Sequence, residues 1–473
     1  MDLRQEIGTH KLADESHVVQ ELQAALKLGS ASRQQVECTA AQLVEQVRAR
    51  SKEKSHLDAF MGQFGLSNEE GVALMCLAEA LLRVPDSVTA DALIEDKILA
   101  GEWSEHLWQS SSLLVNASTW GLLLTGQVIT VDEFGAGSIA GHLKEAVSRM
   151  GKPVIRAAMY QAMRILGKEF VLGVTIDEAL EQGRKIYGPD CLFSCDMLGE
   201  GARTGQAARQ YLAAYQHAIT AVAQSNSVQD VVAGSGISIK LSALHPRFEY
   251  AQHDRVIDEL HDRLLGLARS AAGYGMGMTI DTEEADRLDL TLELFERLAR
   301  DSSLKDWNGL GIAVQAYGKR AKPVIEWLAG LARETGRRFM VRLVKGAYWD
   351  TEIKHAQELG LEDFSVFTRK ASTDLSYLVC AETLLANREH IYSQFATHNA
   401  HTIAAVMEIA GACLKTGLMH PSSIESWMSR FRHVRWCGIR SVWLKNLNRC
   451  DIRLFCCRPT CFRGSGVTLG GWI

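Results

Sequence analysis

No run of roughly 18 apolar residues occurs in this 473-residue chain, so the sequence offers no membrane-spanning helix. Its start, "MDLRQEIGTHKLADESHVVQELQ", lacks the apolar core of a signal peptide, which argues for a cytoplasmic location. No G-x-G-x-x-G follows the early apolar strands, which disfavours a Rossmann sheet. Cysteine pairs at zinc-site spacing are missing. Six of the eleven cysteines are scattered through the first part, as in reduced proteins, and Cys437, Cys450, Cys456, Cys457 and Cys461 follow at irregular intervals. Positive charge is not in excess either. The formal net charge is −5, which argues against general nucleic-acid binding.

That balance hides a split. From Leu414 onward there are ten Lys/Arg against two acids, so the rest of the chain carries −13. The stretch "FRHVRWCGIRSVWLKNLNRCDIRLFCCRPTCFRG" shows neither a helical nor a strand period. Upstream, four zones are expected. Residues 1–60 read as a helical arm. Residues 61–150 read as a helical domain in which "EEGVALMCLAEALLRVP" presents a wide apolar face, closed by Pro85. "GAGSIAG" near Gly135 reads as a joint, and a helix restarts at Pro153. Residues 151–412 read as an α/β barrel, and 413–473 as a basic tail of different character.

From Cys191 short apolar strands alternate with amphipathic helices. The strands are "CLFSCDML", "GISIKLSAL", "MGMTIDTEE", "GIAVQAY", "FMVRLVKGAY" and "SQFATHN". Helical patterns such as "RVIDELHDRLLGLARSAAGYG", "DRLDLTLELFERLARD" and "AKPVIEWLAGLARETG" separate them. Such alternation means a parallel sheet covered by helices. Repeated βα units favour a (β/α)8 barrel, of which about six units can be read.

In such a barrel the chemistry sits where strands end. Asp196, Lys240, His245, Asp281, Gln315, Arg342, Lys345, Thr397, His398 and Asn399 all fall at strand ends. Single charges there are ordinary; six strand ends converging on one mouth point to an active site. Arg342 and Lys345, followed by Gly346 and Ala347, suit phosphates, because small residues let the backbone approach an anion. Tyr348 and Trp349 could stack on a heterocycle or simply pack the rim. The same lysines, Lys240 and Lys345, would also suit a Schiff-base aldolase.

These motifs resemble the proline dehydrogenase domain of the bifunctional proline-utilisation flavoenzymes. The matching stretches include "EEGVALMCLAEALLRVPD", "VNASTWGLLLTG", "KPVIRAAMYQAMRILGKEFVLG", "KLSALHPRFE", "TIDTEEADRL", "VRLVKGAYWDTEIKHAQ" and "FATHNAHTIA", from about Ser67 to Gly411. The resemblance implies a distorted (β/α)8 barrel preceded by an all-helical domain. It implies oxidation of L-proline to Δ1-pyrroline-5-carboxylate, with noncovalent FAD taking a hydride at N5 and passing electrons to membrane quinone, through peripheral contact with the inner membrane. By the same resemblance Lys240 binds the proline carboxylate and Asp281 joins the polar network. Thr282 approaches the flavin and Gln315 hydrogen-bonds its ring. Arg342 lies near N5, where it stabilises the reduced, anionic form. Lys345, Gly346 and Ala347 bind the cofactor, with Trp349 near the adenosine half. Thr368, Arg369, Lys370 and Thr373 continue the cleft, and Thr397, His398 and Asn399 approach the ring from the far side.

Two departures from the pattern are expected. No ribbon-helix-helix segment is recognised, so no nucleic-acid partner is expected. After "HTIAAVMEIAG" the final two strands, a helix with paired carboxylate-binding arginines and the second catalytic domain are not recognised. The tail then reads as the product of a shifted frame, on composition. A chain of that kind would be an incomplete barrel with exposed sheet edges and little activity. The alternative is a remnant serving as an interaction module.

Overall fold

The computed structural model describes residues 3–50, 172–173, 175–188, 191–197, 201–415, 443–444 and 452–455. Residues 1–50 and 173–467 form one compact unit. The expected helix over "EEGVALMCLAEALLRVP", the joint near Gly135 and the helix after Pro153 lie outside the described residues.

The strands are β1 (Cys191–Leu192), β2 (Ser194–Asp196), β3 (Gly236–Lys240), β4 (Met278–Asp281), β5 (Leu310–Gln315), β6 (Phe339–Val344), β7 (Ile391–Ala396), β8 (Trp443–Leu444) and β9 (Ile452–Phe455). Six parallel strands, β2 to β7, line up in chain order, and β9 adds to the far edge of β7, also parallel. β1 pairs antiparallel with β8. The expected architecture, about six strands of a (β/α)8 barrel behind a helical amino-terminal region, is the one observed. Two details differ. The tail, whose sequence shows no strand period, supplies β8 and β9. The edge of β7 is therefore covered rather than exposed, because unpaired strand amides and carbonyls accept any extended segment that reaches them.

The register explains the two faces. Lys240 pairs with Asp281, Ser238 with Thr279, Ala313 with Arg342, and Arg342 with Gln394. Alternate residues share a face, so one face carries Ser194, Asp196, Ser238, Lys240, Thr279, Asp281, Gln315, Arg342 and Gln394. The opposite face carries Ile237, Ile239, Ile280, Ile312, Val341, Leu343 and Phe395, all buried. That apolar face packs under the helices. Helix Leu288–Arg300 buries Leu290, Leu294, Phe295 and Leu298. Full burial of each such side chain contributes about 1.5–3 kcal/mol. The Phe295 and Phe339 rings meet edge to face at 5.1 Å.

Helix ends are set locally. Thr204 caps helix Gly205–Ser225 by accepting the Ala207 amide at 3.1 Å, and Asp14 caps helix Glu15–Ala25 by accepting that of His17 at 2.8 Å. Gly336 ends helix Ala321–Thr335 in the left-handed region, φ 64°, where glycine carries no Cβ penalty. A set of polar side chains sits at the carboxyl ends of β2 to β7.

Candidate active site

Strand ends bring together a charge-balanced quartet. Lys240 Nζ donates to Asp196 Oδ1 at 2.5 Å and to Asp281 Oδ2 at 3.2 Å. Arg342 Nη1 donates to Asp281 Oδ1 at 3.1 Å and to Ser238 Oγ at 2.8 Å, and Nη2 reaches Ser194 Oγ at 2.7 Å. Lys240 and Arg342 are buried to 12% and 8% side-chain exposure. Burial alone would lower the Lys240 pKa, but Asp196 and Asp281 outweigh it and hold the ammonium well above its ordinary value. A lysine so held is a fixed cation. That suits binding an anion and opposes the neutral amine that a Schiff base requires.

A second cluster centres on Gln315, at the end of β5. Gln315 Nε2 donates to the Glu283 carbonyl at 2.8 Å, while its Oε1 accepts the Ala347 amide at 3.0 Å. Thr282 Oγ1 donates to the Ala313 carbonyl at 3.1 Å. Gln315 thus pins the turn Gly346–Ala347 to the end of β4. Gly346 has φ 144°, and a Cβ there would lie 2.3 Å from the Tyr317 ring. Only glycine fits against that ring at this φ.

A third cluster gathers two cations on one carboxylate. Lys345 and Lys370 both donate to Asp374, the latter at 2.9 Å, at the start of helix Lys370–Ala386. Burial lowers the Lys345 pKa, Lys370 adds to the effect, and the Asp374 carboxylate opposes it. Two lysines and a helix N-terminus converge there with one carboxylate between them. The Arg369 carbonyl accepts the amides of Ser372 and Thr373 at 3.1 and 3.3 Å. Trp349 Nε1 donates to the Phe367 carbonyl at 2.8 Å, with the ring 39% exposed. Thr368 donates its amide and hydroxyl to Glu15.

At the end of β7, Thr397 is buried and its Oγ1 accepts the Asn399 amide at 3.1 Å, while His398 is exposed. Asn399 Oδ1 accepts the Thr402 amide at 2.9 Å, so this residue caps the following helix. His245 does not join the constellation. β3 ends at Lys240, and a helical turn, Leu241–Leu244, carries His245 outward. There its Nε2 pairs with Glu259 at 3.3 Å.

Several groups escaped the reading of the sequence. Ser194 and Ser238 hold the Arg342 guanidinium, and strict alternation within "GISIK" was the signal that would have placed Ser238 beside Lys240 on the polar face. Glu283 is buried, accepts the Ser242 amide at 2.9 Å and its hydroxyl, and has its pKa pushed up to about 7 by that burial. Gln394, in register with Arg342, is buried on the same face. Among the described residues no group of three or more His, Cys, Asp or Glu could hold a metal.

Comparison with known proteins gives three family matches: "Proline dehydrogenase" over residues 179–420, "DNA-binding domain of Proline dehydrogenase" over 56–170, and "Proline utilization A proline dehydrogenase N-terminal domain" over 2–48. The second stands against the expectation of no nucleic-acid partner, because a domain described as DNA-binding matches where no such segment was recognised; those residues lie outside the described ones. The Bifunctional protein PutA of Klebsiella aerogenes is 50% identical over 373 residues, 78% of this chain and 28% of that protein. That of Escherichia coli K12 is 47% identical over 400 residues, 84% of this chain and 30% of that protein. The chain therefore spans less than a third of the length of these curated relatives. A crystal structure of bifunctional proline utilization A matches with TM-score 0.62 at 46% identity, covering 85% of this chain and 40% of the other. The Bdellovibrio bacteriovorus protein inactivated by N-propargylglycine matches with TM-score 0.59 at 26% identity, covering 81% and 36%.

Proposed function

Because the chain belongs to the proline dehydrogenase family, we propose that it carries an FAD-dependent site for oxidising L-proline to Δ1-pyrroline-5-carboxylate. The observation that supports this best is the quartet Asp196–Lys240–Asp281–Arg342, in which Lys240 and Arg342 are largely buried, together with the glycine turn at Gly346. The donor set fits a flavin dinucleotide. It combines two lysines at a helix start for phosphates, a turn of the small residues Gly346 and Ala347, and the carboxamide of Gln315. When bound, FAD would supply the acceptor for the hydride and would pass the two electrons on to a quinone.

The protein's own residues hold and orient. Lys240 offers its ammonium to the proline carboxylate, and Asp281 keeps that ammonium aimed while tying it to Arg342. Arg342, fixed by Ser194 and Ser238, brings a buried positive charge to the place where negative charge would grow. Gln315 and Thr282 set the ring's edge. Lys345, Gly346, Ala347 and Lys370 receive the phosphates, with Thr373 at the helix start. Trp349, Thr368 and Arg369 line the adenosine half. Thr397, His398 and Asn399 close the far side of the ring. Among the described residues Lys240 is the strand-end ammonium offered to the carboxylate, and Asp196 competes for it. Proline is therefore expected to bind weakly and turn over slowly. Contact with a membrane quinone would be peripheral, as the family resemblance implies; no described helix is long and apolar enough to cross a bilayer.

The test is to saturate the purified chain with FAD, record its visible spectrum and follow proline-dependent dye reduction. A flavin spectrum bleached by proline supports the reading. Protein that stays colourless with excess FAD, or flavin indifferent to proline, overturns it.

A further inference from the structure

The amino-terminal arm reaches the strip proposed to receive the adenosine diphosphate half of the cofactor. Glu15 opens helix Glu15–Ala25, and its Oε2 accepts both the Thr368 amide at 2.8 Å and the Thr368 hydroxyl at 2.7 Å. The arm is firmly seated there. Lys319, with its side chain fully buried, donates to the Ala13 carbonyl at 2.7 Å and to Asp363 at 2.9 Å. Val18 and Leu22 form a small core with Phe367 and Val379, directly beside Thr368. The Phe367 carbonyl in turn holds the Trp349 ring.

We infer that Glu15 is a positioning residue for the adenosine diphosphate half of FAD. It engages both donors of Thr368, two residues before helix Lys370–Ala386, and so fixes the approach to that helix start. Lys345 and Lys370 are left to exchange Asp374 for a phosphate. The carboxylate of Glu15 is taken up by the Thr368 amide and hydroxyl, which hold it in place. This assignment rests on the FAD reading above.

FMN lacks the adenosine half, so comparing FAD with FMN isolates the claim. The full chain and its E15A and E15M variants are titrated with each by fluorescence quenching, with thermal midpoints recorded alongside. The control is E382Q. Glu382, on helix Lys370–Ala386 and away from Thr368, holds the Lys27 amide through both carboxylate oxygens at 3.2 and 3.1 Å, so this variant removes one of the two acceptors and the charge there without touching the strip. Losing a charge-assisted acceptor for two donors is expected to weaken FAD about tenfold. FMN affinity should stay within about twofold, and E382Q should leave both affinities unchanged. Equal weakening of FAD and FMN, no weakening, or the same pattern in E382Q would overturn the assignment. Wild-type protein that binds neither flavin would overturn the FAD reading itself, and this inference with it.

Discussion

Replacing Lys240 by Met tests the quartet most directly. The wild-type ammonium sits between Asp196 and Asp281 at 2.5 and 3.2 Å. In K240M, Asp281 retains Arg342 at 3.1 Å, but Asp196 loses its cation and faces the like charge of Asp281. Leaving a buried charge without its partner costs about 3–5 kcal/mol. Asp196 is 35% exposed, so solvent returns part of this and about 2–3 kcal/mol is expected at pH 8. The Asp196 pKa is already raised by burial and by Asp281, and losing Lys240 raises it further. The native state of the variant then holds a proton that the unfolded chain has released, so stability falls as pH rises between the unfolded and folded pKa values. Each unit of upward shift contributes about 1.4 kcal/mol to that fall. Urea melts of wild type, K240M and K240M/D196N at pH 5 and pH 8 measure it. The single variant should be closer to wild type at pH 5, and the double variant should recover most of the loss at pH 8. A K240M loss below about 1 kcal/mol, the size of an ordinary surface pair, with no pH dependence, would refute the buried quartet.

Other perturbations follow from the same geometry. G346A places a Cβ against the buried Tyr317 ring at a φ that other residues avoid, so a loss of about 2–4 kcal/mol and of flavin retention is expected, read by Tm and visible absorbance. Asn399→Ala removes the cap on Thr402 and should cost about 1 kcal/mol in urea melts. Glu283 has a folded pKa of about 7, above its unfolded value, so its protonated form favours the native state and that contribution is lost as pH rises through this range. E283Q should therefore flatten the stability–pH curve between about pH 4.5 and pH 7, as differential melts would show. A curve as steep as that of wild type would place the titration elsewhere.

The alternation of short apolar strands with amphipathic helices was enough to place six parallel strands and the helices between them, because period 2 and period 3.6 are written into neighbouring residues. Strand-end residues such as Lys240, Asp281 and Arg342 were legible for the same reason: in a parallel βα array, every strand points its carboxyl end at one mouth. Partnership was not legible. Which carboxylate holds Lys240 depends on the register of β2 against β3 and β4, and one residue of slip would turn each side chain to the other face. His245 shows the limit, since a single helical turn after Lys240 removed it from the site. The strands β8 and β9 show it again, for an irregular segment gains strand geometry from the open edge it meets rather than from its own pattern. The bond from Glu15 to Thr368 joins residues 353 positions apart, and no local period carries such information. Local chemistry in the chain determined the elements and the charges at their tips. Only tertiary packing, which brings distant backbone into hydrogen-bonding range, decided which of those charges meet.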